Sequence, residues 1–179
     1  MWTHFKRWLR HAWLDEADAR RVVPPAMRQR LAARVAASEA RHTGQVRLCV
    51  EASLPVSYLW RHLWHRQSLP HVVRSRALMM FSKLRIWDTE GNNGVLIYLL
   101  LAERAIEIVA DRALARQVPQ PEWDAMLARL SGALHADRFE DGLTQALGEV
   151  SALLVAHFPR VPDDVLPPGN ELADEPVVQ

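Results

Sequence analysis

The stretch Trp87-Asp88-Thr89-Glu90-Gly91-Asn92-Asn93-Gly94-Val95-Leu96-Ile97-Tyr98-Leu99-Leu100-Leu101 decides how this chain folds. Its first half is dense in turn formers and its second half is an unbroken apolar run. A strand apolar on both faces is a central one, covered by helices on each side. Upstream, Gln45 to Ala52 alternates: Val46, Leu48 and Val50 face one way and Arg47, Cys49 and Glu51 the other, which predicts the first strand. Between the two strands lie helical stripes. One runs through Leu59, Trp60, Leu63 and Trp64, with both tryptophans packing inward; a longer one, opened by Pro70, carries Val73, Ala77, Met80, Phe81 and Leu84. Strand, helical crossover and strand make a right-handed βαβ unit. Glu103 and Arg104 then turn the chain into an antiparallel partner over 105–111, although neither Asn-Gly nor a lone Gly marks that turn.

Working outward, Pro24 and Pro25 open a helix that shows Met27, Leu31 and Val35 on one face. Two more follow the hairpin, one with Trp123, Met126, Leu127 and Leu130 and one with Phe139, Leu143, Leu147, Val150 and Leu154. The pattern predicts an α/β fold: a three-layer α/β/α sandwich around a small mixed sheet, the βαβ unit plus an antiparallel hairpin strand. Residues 1–23 form an amphipathic N-terminal segment, helical over 2–20, and residues 24–158 the α/β domain. Residues 159–179, acidic and rich in proline, are expected to be disordered.

A chain of 179 residues is long enough for one well-filled core. With 49% hydrophobic and 24% charged residues it is neither disordered throughout nor collagen-like. Cys49 is the only cysteine, which excludes an internal disulfide and a cysteine-cluster zinc site, and its mid-strand place predicts burial. The longest uncharged apolar run, Val95 to Ala102, is far short of the roughly 20 residues a membrane-spanning helix needs. Charge is unevenly spread: residues 1–47 carry a local +6 and residues 159–179 a local −4, within a net +1. That asymmetry is too small, and the pI of 8.1 too low, to point to nucleic acid.

At the N-terminus Trp2, Phe5, Leu9, Ala12 and Trp13 recur at helical spacing with Lys6, Arg7, Arg10 and His11 among them. The charges at Arg7, Arg10 and Asp15 break any signal-peptide core, so a cytoplasmic location, peripheral to the inner membrane face, is expected. Such a stripe either packs on the domain or docks through Trp2, Phe5, Arg7, Trp8, Arg10 and Trp13 on a membrane surface or a membrane-associated protein. The hairpin topology brings a second group together. The loop 87–94 and the end of the returning strand share one edge of the sheet, which gathers Asp88, Glu90, Asn92 and Asp111. Alternating oxygen donors beside a glycine suit a hard cation, Ca or Mg, although no EF-hand spacing is present, since the twelfth position from Asp88 is Leu99. His62 and His65 lack an acidic partner within 56–73 and read as an exposed, weakly basic helix face. No Gly-x-Ser-x-Gly and no phosphate-cradling glycine loop occurs. The segment 53–70 reads as a core helix, with a lid or partner-docking element as the alternative.

Taken in order, Gly44-Gln45-Val46-Arg47-Leu48, then Asn93-Gly94-Val95-Leu96-Ile97, then Ile106-Glu107-Ile108 and finally Arg138-Phe139-Glu140-Asp141-Gly142-Leu143 resemble the TPM domain family, over about residues 25–158. This is the module of thylakoid lumen and photosystem-repair proteins and of many bacterial membrane-associated proteins. The chain departs from the family pattern in two places. Ala110-Asp111-Arg112 stands where many members have a glycine-rich stretch, and Val23-Pro24-Pro25 where an Asp is usual. Many members also carry a signal peptide and a transmembrane helix, and neither is expected here. The resemblance implies a soluble, non-catalytic interaction module, with a divalent-cation-dependent acid phosphatase or phosphoesterase as the alternative, for which Asp88 and Asp111 are the carboxylates to consider.

Overall fold

The computed structural model describes residues 11, 13–64, 67–160 and 170–179, with the backbone alone over 61–63. Its centre is strand β2 (Val95–Leu100), buried at all six positions. Strand β1 (Val46–Glu51) runs parallel to it in the register Val46 to Val95 through Glu51 to Leu100. Strand β3 (Ala105–Ala110) returns antiparallel, pairing Val95 with Ala110 and Leu100 with Ala105. The turn between them works without glycine because Arg104 takes a left-handed conformation, φ 49°. A fourth strand, β4 (Val177–Val178), lies parallel to β1, giving the order β3-β2-β1-β4.

Alternate side chains of this sheet feed two separate cores. Val46, Leu48, Val50, Val95, Ile97 and Leu99 meet four helices: α1 (Glu16–Val22), α2 (Pro25–Glu39), α6 (Gln120–His135) and α7 (Phe139–His157). Cys49, Leu96, Tyr98, Leu100 and Val109 meet α3 (Val56–Trp64) and α4 (Leu69–Lys83) on the other side. A short α5 (Arg112–Ala115) follows β3 directly. The result is the expected three-layer α/β/α sandwich with a mixed sheet. Burying a Leu or Ile side chain contributes about 1.5–3 kcal/mol, so these two cores supply most of the drive to fold.

Three expectations meet a different outcome. Residues 2–20 do not make one helix: Asp15 accepts from the backbone N–H of Ala17 and Asp18 while Asp18 accepts from Asp15, a reciprocal cap that starts α1 afresh. Ala19 within it and Val23 at its C-terminal cap are fully buried, so residues 16–23 pack on the domain. Trp60 and Trp64 do not pack inward; they are 53% and 68% exposed, because α3 turns Leu59 to the sheet instead. The tail is ordered over 170–179. Val177 and Val178 pair with Cys49 and Val50, the Gln179 N–H donates to the Val50 carbonyl, and the Ala52 N–H donates to the Gln179 carbonyl at 2.8 Å. The physical reason is the open edge of β1, whose unpaired backbone groups take a β-branched pair of residues as partner. Gln45 holds the tail's start through its Oε1, which accepts from the N–H of both Glu171 and Leu172. At the opposite edge, Arg74 donates to the Ile108 carbonyl and so occupies part of β3's free backbone.

Two buried groups near β1 set opposing pH dependences. Burial pushes the Glu39 carboxyl up to about 7; Asp174 reinforces this, while the Val46 N–H donating to it and Arg160 oppose. Burial pushes the His42 imidazole down to about 4, with Arg41 and Arg160 adding to the effect and the Gly44 carbonyl opposing it. Ser38 Oγ stands 2.8 Å from His42 Nε2 and 2.7 Å from Ser151 Oγ, which ties α2 to α7. Between pH 4 and 6.5 the unfolded His42 binds a proton that the native one does not, so its contribution makes stability rise with pH. Between pH 4.5 and 7 the native Glu39 keeps a proton that the unfolded one releases, so its contribution makes stability fall. Urea unfolding across this range is expected to show Glu39→Gln rising in stability from pH 4 to 6.5 and His42→Asn falling from pH 4.5 to 7, with the parent flatter than either. Slopes of the reversed sign would contradict the assignment.

Candidate functional site

The loop entering β2 is built by close backbone approaches. The Asn92 N–H donates to the Thr89 carbonyl at 3.1 Å and closes a turn, and Asn92 itself is left-handed, φ 48°. At Gly94 a Cβ would stand 2.2 Å from the Ile86 carbonyl oxygen, so this position accepts no side chain without moving backbone. The start of α5 then locks onto the loop: the Asp111 N–H donates to Gly94 O at 2.8 Å and the Ala113 N–H to Asn92 O at 3.0 Å. The hairpin thus does place the 89–94 loop and Asp111 at one end of the sheet.

The side chains are distributed differently from the expectation. Asp88 is half-exposed and paired with Arg85, Nη2 to Oδ2 2.5 Å. Glu90 is exposed, and it is its backbone N–H that is used, donating to Glu171. Asn92 Oδ1 accepts from the Arg112 guanidinium. Among the described residues no three His, Cys, Asp or Glu side chains gather where a metal ion would sit, so Asp88, Glu90 and Asp111 do not form a carboxylate cluster. Asp111 alone of the four is buried, 8% exposed. Its Oδ1 caps α5 by accepting the Arg112 N–H, and its Oδ2 is buried without a hydrogen-bond partner.

Two residues between the expected ones share that condition. Thr89, 6% exposed, and Asn93, 2% exposed, carry Oγ1 and Oδ1 atoms that are likewise buried and unpartnered, while Asn93 Nδ2 donates to Thr43 Oγ1. The loop therefore holds two orphan oxygens, from a hydroxyl and an amide, and the N-cap of α5 a third, from a carboxylate. Burying an oxygen acceptor without a partner costs about 1–3 kcal/mol, a cost that a bound cation removes. The signal that finds them is the phase of the loop: 89 and 93 point inward where 88, 90 and 92 do not.

Beside the loop opens a cavity of about 430 Å³ lined by Arg47, Leu84, Arg85, Asp88, Glu171, Leu172 and Ala173. Burial lowers the pKa of Arg47, and its Nη1 has no hydrogen-bond partner. At the far end of β1 lies a polar cluster absent from the expectations. Glu51 takes the Arg76 guanidinium through Nε at 2.8 Å and through Nη2, and accepts the Tyr98 hydroxyl at 2.6 Å. Burial works against the Arg76 charge, but the hydrogen bond and charge of Glu51 outweigh it and hold its pKa above the ordinary value; burial, with Glu51 adding, raises the Tyr98 phenol. Cys49 is buried as expected, its thiol pushed up to about 12 by burial, which leaves it unreactive. Of the docking residues expected at the N-terminus, Trp2, Phe5, Arg7, Trp8 and Arg10 lie outside the described residues, and Trp13 is 81% exposed.

The family model for the TPM domain matches residues 17–153, most of the chain. The chain belongs to the TPM domain family. As a TPM domain it is similar in fold to the NMR structure of the BA42 protein from the psychrophilic bacterium Bizionia argentinensis, with a TM-score of 0.67 at 20% identity over 85% of this chain and 92% of that one. A search of curated proteins finds no match. No helix of the described residues of this TPM domain is long and apolar enough to cross a membrane. Gly94→Ala is expected to destabilise the TPM domain by about 2 kcal/mol, because the Ile86 backbone must give way. Urea unfolding checks this, and a loss below about 0.5 kcal/mol would show that the loop relaxes freely.

Proposed function

We propose that this TPM domain is a non-catalytic interaction module that binds a divalent cation, calcium or magnesium, in the 89–94 loop and docks on a membrane surface or a membrane-associated protein partner. The observation that carries the cation reading is the trio of buried, unpartnered oxygens at Thr89, Asn93 and Asp111. All three are hard donors and one bears a charge, which fits the oxygen-ligand preference of these ions and not that of zinc or copper. Thr89, Asn93 and Asp111 would hold the ion, with loop carbonyls and solvent completing its shell. Asp88, Glu90 and Asn92, engaged with Arg85, Glu171 and Arg112, have a second role as the loop's outer ties. Docking is supported by the tryptophan and arginine stripe of the N-terminal segment and by the 81% exposure of Trp13.

A second reading, a cation-dependent phosphoesterase, draws support from the adjoining cavity. There Arg47 and Arg85 supply positive charge for a phosphoryl group beside Asp88. A bound cation would polarise a phosphoryl oxygen.

Asp111→Asn separates these readings while sparing the fold, since Asn caps a helix about as well as Asp. Calcium or magnesium titration followed by amide NMR is expected to shift residues 89–94 and 111–113 in the parent, and to need at least about tenfold more cation in Asp111→Asn. Silence of those amides at millimolar cation would sink the site. Metal-dependent turnover of p-nitrophenyl phosphate that disappears in Asp111→Asn would favour the phosphoesterase over the interaction module.

A further inference from the structure

We propose that the outer face of α3, with Trp13 beside it, is the surface that docks, and that its partner is the anionic headgroup layer of a membrane. This rests on the docking reading above and moves its centre from the N-terminal stripe to a helix of the domain itself.

Val56, Trp60 and Trp64 stand at i, i+4 and i+8, one face of a helix, and are 72%, 53% and 68% exposed. Their inward counterpart is Leu59, 6% exposed, so α3 already has the contact that holds it to the sheet and the tryptophan face is surplus to folding. The two indole rings stack, centroids 4.4 Å apart and planes 12° from parallel, which presents one continuous aromatic surface. Trp13 leaves the chain nearby, because His11 Nδ1 accepts the Leu54 N–H, two residues before α3 begins. Contiguous exposed apolar surface of this kind marks an interaction site.

Charge selects the partner. From Ala52 to Trp87 the chain contains no Asp or Glu, but six Lys/Arg, at 61, 66, 74, 76, 83 and 85. Arg74, Arg76 and Arg85 pair with Glu107, Glu51 and Asp88. In the sequence, Arg61, His62, His65 and Arg66 are interleaved with Trp60 and Trp64. Tryptophan settles at the headgroup level of a bilayer, and interleaved cations add attraction to anionic lipid that reaches about one Debye length, roughly 8 Å at physiological salt. A second copy of the chain fits poorly, since a two-fold contact sets the acid-free, cation-rich stretch 52–87 against itself.

The test uses the full chain and sedimentation with phosphatidylcholine vesicles, with and without roughly a third phosphatidylglycerol. The parent is expected to bind the anionic vesicles and to release with salt. Trp60→Ser/Trp64→Ser is expected to lose at least about tenfold in binding with unchanged circular dichroism and melting temperature, because both rings are exposed. Arg61→Glu/Arg66→Glu is expected to lose a similar factor, and Trp2→Ser/Trp8→Ser to bind like the parent. Equal binding to neutral vesicles, or parent-like binding by the Trp60/Trp64 variant, overturns the proposal. Loss only in Trp2→Ser/Trp8→Ser overturns it too, yet leaves docking through the N-terminal stripe standing. A parent that ignores vesicles but dimerises in light scattering, with the dimer lost in Trp60→Ser/Trp64→Ser, overturns it in favour of self-association.

Discussion

Every other element answers to the burial of β2. A strand with no solvent-facing side chain forces a helical layer onto each face, fixes β1 and β3 as its neighbours and leaves only its two ends open to the surface. At the entering end the chain tightens into the 89–94 loop and meets Asp111. At the leaving end it turns through Arg104, beside the region where Leu54 and α3 begin. The strand itself has no room for a ligand, so a binding surface must lie at those ends or on the covering helices.

The polar cluster of Glu51, Arg76 and Tyr98 shows how the thinner layer is held in register. α4 contributes one guanidinium, β1 one carboxylate and β2 one phenol, all from positions that an apolar core would otherwise fill. A buried ion pair is weak evidence for stability, since desolvation offsets its attraction, but it is demanding in geometry. Sliding α4 by a single residue would leave a charge uncompensated. The cluster therefore specifies where α4 sits more than it strengthens the fold, and α3, which precedes α4, is positioned by it in turn.

Much of the architecture was legible because it rests on local periodicity. The alternation at Val46–Glu51 and the double-sided run at Val95–Leu100 each carry their burial pattern in the residues themselves. What escaped depends on partners distant in sequence. Trp60 and Leu59 are adjacent and both apolar, so only the packing of α3 against the sheet decides which turns inward. The pairing of Val177 and Val178 with β1 is invisible in a stretch dominated by proline and acids. In the 89–94 loop the residue types favour the acids at 88 and 90, but a turn closed between Thr89 and Asn92 leaves those exposed and buries 89 and 93.

The two sheet edges are closed at very different moments in the life of a chain. Arg74 reaches the Ile108 carbonyl as soon as α4 and the hairpin have formed, whereas the guard on β1 is supplied by residues 177 and 178. During synthesis, β1 must therefore wait with one side unpaired until residues 177 and 178 have emerged from the ribosome, a contact of very long sequence separation and correspondingly slow to form. The nascent domain passes through a stage in which this one edge is adhesive, and the arrival of Val177 and Val178 ends it.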